Sequence, residues 1–289
     1  MELLYISFVL LISVHSLGNF TEHKSEINLI IQGLGNLNIL SDSFYLNPSE
    51  VIINGDLKPS CNKSCYLGNI LINVTIKFDK QLESLENMFS GLYKIIEIDL
   101  SNLDTSKVTT MASMFEYCSN LKKISFGNIN TSLVESMYGL FQNCSKLTSL
   151  DLSNFDTSSV TDMDSIFRCC ESLTSIDVSK FNTSKVEIMF DMFGYCHKLI
   201  SINVSNFDTS KVKIFQGMFY ECYNLKYLDL SNFDTSSATN FQFMFGRCNS
   251  LVYLNLKTFK NLYSNNSDFS FFENSANIKI CVNEINNLN

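Results

Sequence analysis

Residues 150–175 read Leu150-Asp151-Leu152-Ser153-Asn154-Phe155-Asp156-Thr157-Ser158-Ser159-Val160-Thr161-Asp162-Met163-Asp164-Ser165-Ile166-Phe167-Arg168-Cys169-Cys170-Glu171-Ser172-Leu173-Thr174-Ser175, and this stretch decides the fold. Leu150-Asp151-Leu152 alternates apolar and polar residues, the mark of a short strand with one face buried. Phe155 follows as a second inward anchor. Asp156-Thr157-Ser158 supplies side-chain oxygens suited to cap a helix N-terminus. Val160, Met163, Ile166, Phe167 and Cys170 then recur at three- and four-residue steps, the spacing of one helical face. The stretch reads as strand, turn, short helix and return.

The unit repeats. Cys118, Cys144, Cys170, Cys196, Cys222 and Cys248 stand 26 residues apart at every step. Phe115, Phe141, Phe167, Phe193, Phe219 and Phe245 keep the same step, as do Leu121, Leu147, Leu173, Leu199, Leu225 and Leu251. A third column runs Ile98, Ile124, Leu150, Ile176, Ile202, Leu228 and Leu254. Glu135 and Glu187 follow Ser132 and Ser184 by three residues, which reads as a capping box in those copies. A unit this short cannot bury its own apolar face, so neighbours must stack.

These columns carry a family resemblance. The segment Phe115, Cys118, Leu121 and its equivalents, followed by Leu-Asp-Leu-Ser-Asn-Phe-Asp-Thr-Ser and Val-x-x-Met, resembles the repeat of BspA-like leucine-rich-repeat surface proteins. The likeness runs from Ile98 to about Phe259 and includes Asp104, Asp156, Asp208 and Asp234 with their Thr-Ser pairs, with Asn130 and Asn182 in the same place. It implies a secreted or surface-exposed protein used for adhesion and for host or matrix contact. The expected fold is an α/β repeat solenoid, a leucine-rich-repeat-type stack of 26-residue strand–turn–short helix coils with terminal caps.

The domain organisation follows from the lattice. Leu3 to Val14 is an apolar run of signal-peptide length with small residues at Ser16 and Gly18, so residues 1–18 read as a signal peptide. Its n-region is poor, since Glu2 carries the wrong sign, and the alternative is a buried N-terminal strand. Residues 19–71 alternate around Gly33, Gly35, Asn54-Gly55 and Pro59 and read as a β-rich N-terminal cap. Residues 72–97 keep the apolar lattice but lack the Asp-Thr-Ser turn and the cysteine, as a degenerate first coil would. Residues 98–253 hold six repeats, and 254–289 a last strand with an irregular C-terminal cap.

A net charge of −8 argues against nucleic acid or an anionic membrane as partner, because both need clustered Lys and Arg. No later run reaches the roughly 20 apolar residues of a membrane span, and the tail from Ile285 is polar, unlike a lipid-anchor signal. Export to the medium or to a surface is the expectation, with an extracellular protein or glycan as partner. Eight Asn-x-Ser/Thr triplets agree with export where the cell glycosylates, with Asn62 and Asn265 in the caps the candidate acceptors.

The cysteine ladder reads as a column of small buried hydrophobes, with partial disulfide pairing between neighbours as the alternative. Stacked strands lie ~4.8 Å apart, but parallel Cβ vectors leave the sulfurs side by side. A zinc site needs converging ligands at another spacing. Cys61 and Cys65 flank a polar loop outside the repeat and are expected to close the cap as a disulfide. Cys169 and Cys281 are not expected to pair.

The candidate ligand surface is the strand face, expected to be concave. Its outward residues are Asp99, Asp151, Asp177, Asn203 and Asp229, with Tyr227 and Tyr253 forming an aromatic edge suited to protein or glycan contact. Asp151 and Asp177 fall on adjacent strands and repel, which a cation or basic partner would relieve; ordinary solvation is the plainer reading. No catalytic constellation is legible. His197 occupies a variable surface position, His23 has no nucleophile near it in sequence, and Gly33-Leu34-Gly35 lacks the third glycine of a dinucleotide site. No metal or cofactor is expected. Two functions remain open: a recognition or adhesion module, and a structural spacer or coat component without a specific ligand.

Overall fold

The computed structural model describes residues 25–260, 269–272 and 279–281. The expected signal peptide and Asn265 lie outside them.

The expected α/β solenoid of strand–turn–short helix coils does not form, and the described residues are strand and turn with almost no helix. The one helical segment among the described residues is a four-residue 3-10 turn at Phe269–Phe272. Residues 164–169, placed on a helix by their spacing, run instead as consecutive turns. Their donors alternate. Ile166, Arg168 and Cys170 N–H close local turns onto Met163, Ser165 and Phe167 carbonyls. Ser165, Phe167 and Cys169 N–H reach out to Phe190, Met192 and Gly194 carbonyls, 25 residues ahead. An α-helix would direct all of them four residues back. The backbone also enters the left-handed region twice per unit, as at Ser165 (φ 56°) and Cys169 (φ 58°), which no α-helix tolerates. The three- and four-residue apolar spacing is therefore that of a turn ribbon bonded unit to unit.

The remaining bends are made by side chains. Within residues 150–175, Asp151 accepts from Ser153 N–H at 3.0 Å, Asp156 from Ser158 N–H at 2.9 Å, and Asp162 from Asp164 N–H at 3.0 Å. Each is an Asx turn, in which a short acceptor side chain bonds the backbone two residues on. Asp156-Thr157-Ser158 thus shapes a corner and caps no helix. The expected capping box at Glu135 is likewise absent: its N–H pairs with the Thr109 carbonyl of the preceding unit.

The eleven strands among the described residues concentrate at the two ends. β1 Ser25–Gln32, β3 Glu50–Ile53, β4 Asp56–Leu57, β6 Leu71–Phe78, β7 Ile95–Asn102 and β8 Lys123–Ser125 form a sheet in the order β4-β3-β6-β1-β7-β8. β2 Gly35–Asn38 pairs separately with β5 Ser64–Leu67. β1 lies antiparallel between β6 and β7, so Ile72-Asn73-Val74 does not stack on the next unit as a degenerate coil would. That stretch joins the lattice only later, where Ser84 bridges Thr110 in parallel. β9 Tyr227–Asp229, β10 Tyr253–Asn255 and β11 Lys279–Cys281 form a parallel sheet, Leu228, Leu254 and Ile280 in register. β11 is a lattice strand within what the sequence suggested to be an irregular cap.

Between the ends the expected strand per unit is missing. Residues 150–152 and 176–178 alternate in burial but lie in no ladder. Parallel register is kept on the other edge, through bridges linking Thr110, Ser136, Asp162, Ile188, Ile214 and Asn240. The core is a set of continuous columns. Phe89, Phe115, Phe141, Phe167, Phe193, Phe219 and Phe245 are fully buried, with neighbouring rings 5.5–5.9 Å apart and within 11° of parallel. A buried Thr column ties units together: Thr157 Oγ1 donates to the Asn182 carbonyl (3.1 Å) and accepts from its N–H (2.7 Å).

Candidate recognition site

The ladder cysteines are unpaired and buried, with Cys169 and Cys281 also free. Each ladder thiol donates to a phenylalanine carbonyl 29 residues earlier, from Cys118 on Phe89 (3.1 Å) to Cys248 on Phe219 (3.0 Å). Burial pushes the thiols of Cys118 and Cys248 up to about 12, so they stay protonated and poor as nucleophiles or ligands. Cys61 and Cys65 are joined by a disulfide, with Cα atoms 5.1 Å apart; Asn62 between them is exposed.

The strand-face candidates prove to be corner residues. Asp99, Asp151, Asp177, Asn203 and Asp229 accept N–H bonds from Ser101, Ser153, Ser179, Ser205 and Ser231 at 2.9–3.0 Å. Serine hydroxyl and N–H bonds hold the carboxyls of Asp151, Asp177 and Asp229 below the usual range. Their first role is to turn the chain. Tyr227 is 60% exposed, whereas Tyr253 is half-buried; they pair across β9 and β10. Asp99 lines a cleft of about 330 Å³ where β1 and β7 meet, with Lys123 and Ser125.

A different face gathers chemistry. In four successive turn segments, Arg168, Asp191, Tyr195, Gln216, Tyr220 and Arg247 converge. Arg168 Nε donates to Asp191 Oδ2 at 2.7 Å, and its guanidinium lies 4.8 Å from the Tyr195 ring centre. Tyr195 meets Tyr220 edge to face, at 5.2 Å and 75°, and Tyr220 meets Phe243 at 5.8 Å and 68°. Arg247 bonds Glu221 at 2.7 Å and sits 5.7 Å from the Tyr220 ring. Asn240 Nδ2 donates to Gln216 Oε1 at 2.9 Å, which fixes that amide. Arg168, Phe190, Asp191, Tyr195, Gln216, Gly217, Tyr220 and Phe243 line an open cleft of about 310 Å³.

Glycines make the room. A Cβ on Gly217 would collide with Asp191 Oδ1, and one on Gly246 would come within 2.8 Å of the Tyr220 ring. Burial raises the Asp191 pKa, and the Arg168 pair offsets this only in part. Burial also opposes ionisation of Glu221, but bonds from Tyr223 and Arg247 outweigh it and hold that carboxyl low. His197, read from sequence as a variable surface residue, stacks on Tyr223 at 4.8 Å with Nε2 3.5 Å from Glu221.

Two overlapping stretches, residues 83–199 and 170–284, match a family described as Mycoplasma protein of unknown function, DUF285. The chain belongs to this family. No curated protein and no solved structure matches it. The DUF285 span takes in the stacked units and the whole turn-face cluster. Among the described residues, no helix is long and apolar enough to cross a membrane.

Within the DUF285 repeats the cluster was open to detection in the sequence. Along its columns glycines fall next to large residues: Arg168, Gly194, Tyr220, Gly246 in one, and Gly217, Phe243 in another. Large polar or aromatic side chains set beside glycines mark a built cavity, and both columns lie outside the strand face that the alternation singled out.

Proposed function

We propose that the protein is a non-enzymatic recognition module, secreted or displayed at a surface, that binds an extracellular protein or glycan and needs no cofactor. The observation that carries this reading is the turn-face cleft. Its aromatic walls, fixed amide and paired charges pack beside Gly217 and Gly246, where a side chain would collide with Asp191 or Tyr220. Pockets that orient a ligand combine such apolar walls with few, well-placed polar groups. Rigid tyrosines with arginine are also the side chains enriched where binding energy concentrates. The resemblance of the repeat to BspA-like surface proteins supports the extracellular setting. A spacer or coat component remains the second reading, and the Asx turns favour it in one respect: they give the strand-face acids a purely architectural task.

Binding of the labelled, purified chain to intact cells and to extracellular matrix separates the two. The recognition reading expects saturable binding, displaced by unlabelled chain and weakened at least tenfold by Tyr220→Ala. Binding that never saturates, on any surface, supports the spacer instead.

A further inference from the structure

Resting on that reading, we infer that the cleft lined by Tyr195 and Tyr220 is a subsite for one neutral hexopyranose residue of a glycan. Three features of the site converge on this ligand chemistry.

The first is shape. Tyr195 and Tyr220 stand at 75° with centroids 5.2 Å apart, and Phe243 closes against Tyr220 at 68°. The rings form a corner of aromatic walls around about 310 Å³, the low end of the range for ligand pockets. That suits one sugar ring better than an extended chain. A pyranose offers weakly positive C–H groups on one face, which the negative face of an aromatic ring attracts, and hydroxyls around its rim.

The second is the polar inventory. Arg168 uses Nε on Asp191 and itself lines the cleft, with two further nitrogens on its guanidinium. Gln216 has its oxygen taken by Asn240 and keeps its NH2 to donate. Asp191 has acceptor positions beyond the one that Arg168 occupies. Planar donors and a carboxylate acceptor, each fixed in advance, match vicinal hydroxyls, which both donate and accept.

The third is what the site disfavours. Arg168 and Arg247 are already neutralised by Asp191 and Glu221, in a chain of net charge −8, so an anionic ligand finds no unpaired cation in these pairs. An added peptide strand would need open backbone groups. Here the N–H groups of Asp191, Phe193, Gly217, Tyr220 and Glu221 are all bonded, four to the next unit and one within its turn. What remains for a ligand is side chains.

The test uses the full chain and methyl glycosides of glucose, mannose, galactose and N-acetylglucosamine. Saturation-transfer NMR is read alongside tyrosine emission, which the absence of tryptophan makes clean. The expected result is millimolar binding of at least one glycoside, weakened tenfold or more by Tyr220→Ala and by Gln216→Ala. Tyr220→Phe should bind within threefold of the parent, which separates loss of the wall from loss of the fold. Absence of binding to every glycoside, or binding indifferent to both alanine variants, overturns the inference. So does displacement from the cleft by a proline-rich peptide but not by a sugar. Saturable surface binding that survives an excess of all four glycosides, yet is lost in Tyr220→Ala, overturns the sugar subsite while leaving the recognition reading standing.

Discussion

The Asp191 carboxylate lies in the space that a side chain on Gly217 would need. The residues are 26 positions apart, one lattice step, so a glycine in one unit makes the seat for an acid in the unit before. Gly217 also has φ 63°, where a Cβ is strained regardless of space.

Gly217→Ala therefore carries two penalties. The left-handed backbone alone costs about 1–2 kcal/mol, and the displaced Asp191 loses Arg168 as partner. Gly55→Ala is the control: φ is 90° there, but nothing lies within 4 Å of the new Cβ. Chemical denaturation should show Gly217→Ala less stable than Gly55→Ala by a further ~1–3 kcal/mol, the cost of breaking a buried polar pair. Equal losses would mean that Asp191 is not seated as described.

The buried threonines make a second case. Thr157 bridges both backbone groups of Asn182. Thr157→Val keeps the volume, removes the hydroxyl and leaves that N–H and carbonyl without their partner. The expected cost is about 1–3 kcal/mol. Thr157→Ser keeps the bridge and forfeits only a methyl group, about 0.8 kcal/mol. If serine proves no better than valine, packing and not the bridge sets the register.

The thiol ladder predicts a sensitivity to alkali. A cysteine in the unfolded chain titrates near 8.5, whereas burial pushes Cys118 and Cys248 up to about 12. The folded chain thus keeps protons that the unfolded chain releases. Stability holds at neutral pH and falls as pH rises from about 8.5 towards 12, by up to ~1.4 kcal/mol per pH unit for each thiol. Urea midpoints measured from about pH 7 to 10.5 should fall less steeply for Cys118→Ala/Cys248→Ala than for the parent. Tyrosine and lysine titrate in both proteins, so the difference in slope is the readout, and parallel curves would contradict it.

The sequence made the period, the buried columns and the parallel stacking of neighbours legible, because burial is a property of residue type and repeats at every step. It misled on the coil itself. Met163, Ile166, Phe167 and Cys170 have helical spacing, yet a stacked neighbour offers Ser165, Phe167 and Cys169 N–H better acceptors than their own turn does, and that competition is invisible in one unit. The thiol-to-carbonyl bonds were equally hidden: Cys170 behaves as a small hydrophobe in composition, and only the placement of Phe141 one unit back supplies its acceptor. For the candidate site, alternation directed attention to Asp151 and Asp177, whose exposure is real but whose oxygens shape corners. Ile280 shows the reverse error, for it continues the column of Leu228 and Leu254 inside a tail that looked irregular.

Those corner acids give the last prediction. Serine hydroxyl and N–H bonds lower the pKa of Asp151, Asp156, Asp177, Asp208, Asp229 and Asp234. A lowered folded pKa contributes stability above the unfolded value, near 3.9, and that contribution is lost as pH falls through the folded one. Burial raises Asp164 and Asp191, which act in the opposite direction over the interval above 3.9. The six outnumber the two, so the protein should become labile below about pH 4. Asparagine keeps the acceptor oxygen without the titration, and Asn203 already shows the turn closing that way, with Ser205 N–H at 3.0 Å. Asp151→Asn/Asp177→Asn should therefore melt below the parent near pH 7 and converge with it as pH drops towards 3. Equal melting near pH 7, with the two proteins following parallel curves into acid, would show that the charge on these carboxylates, as distinct from their turn-forming oxygen, adds nothing to the fold.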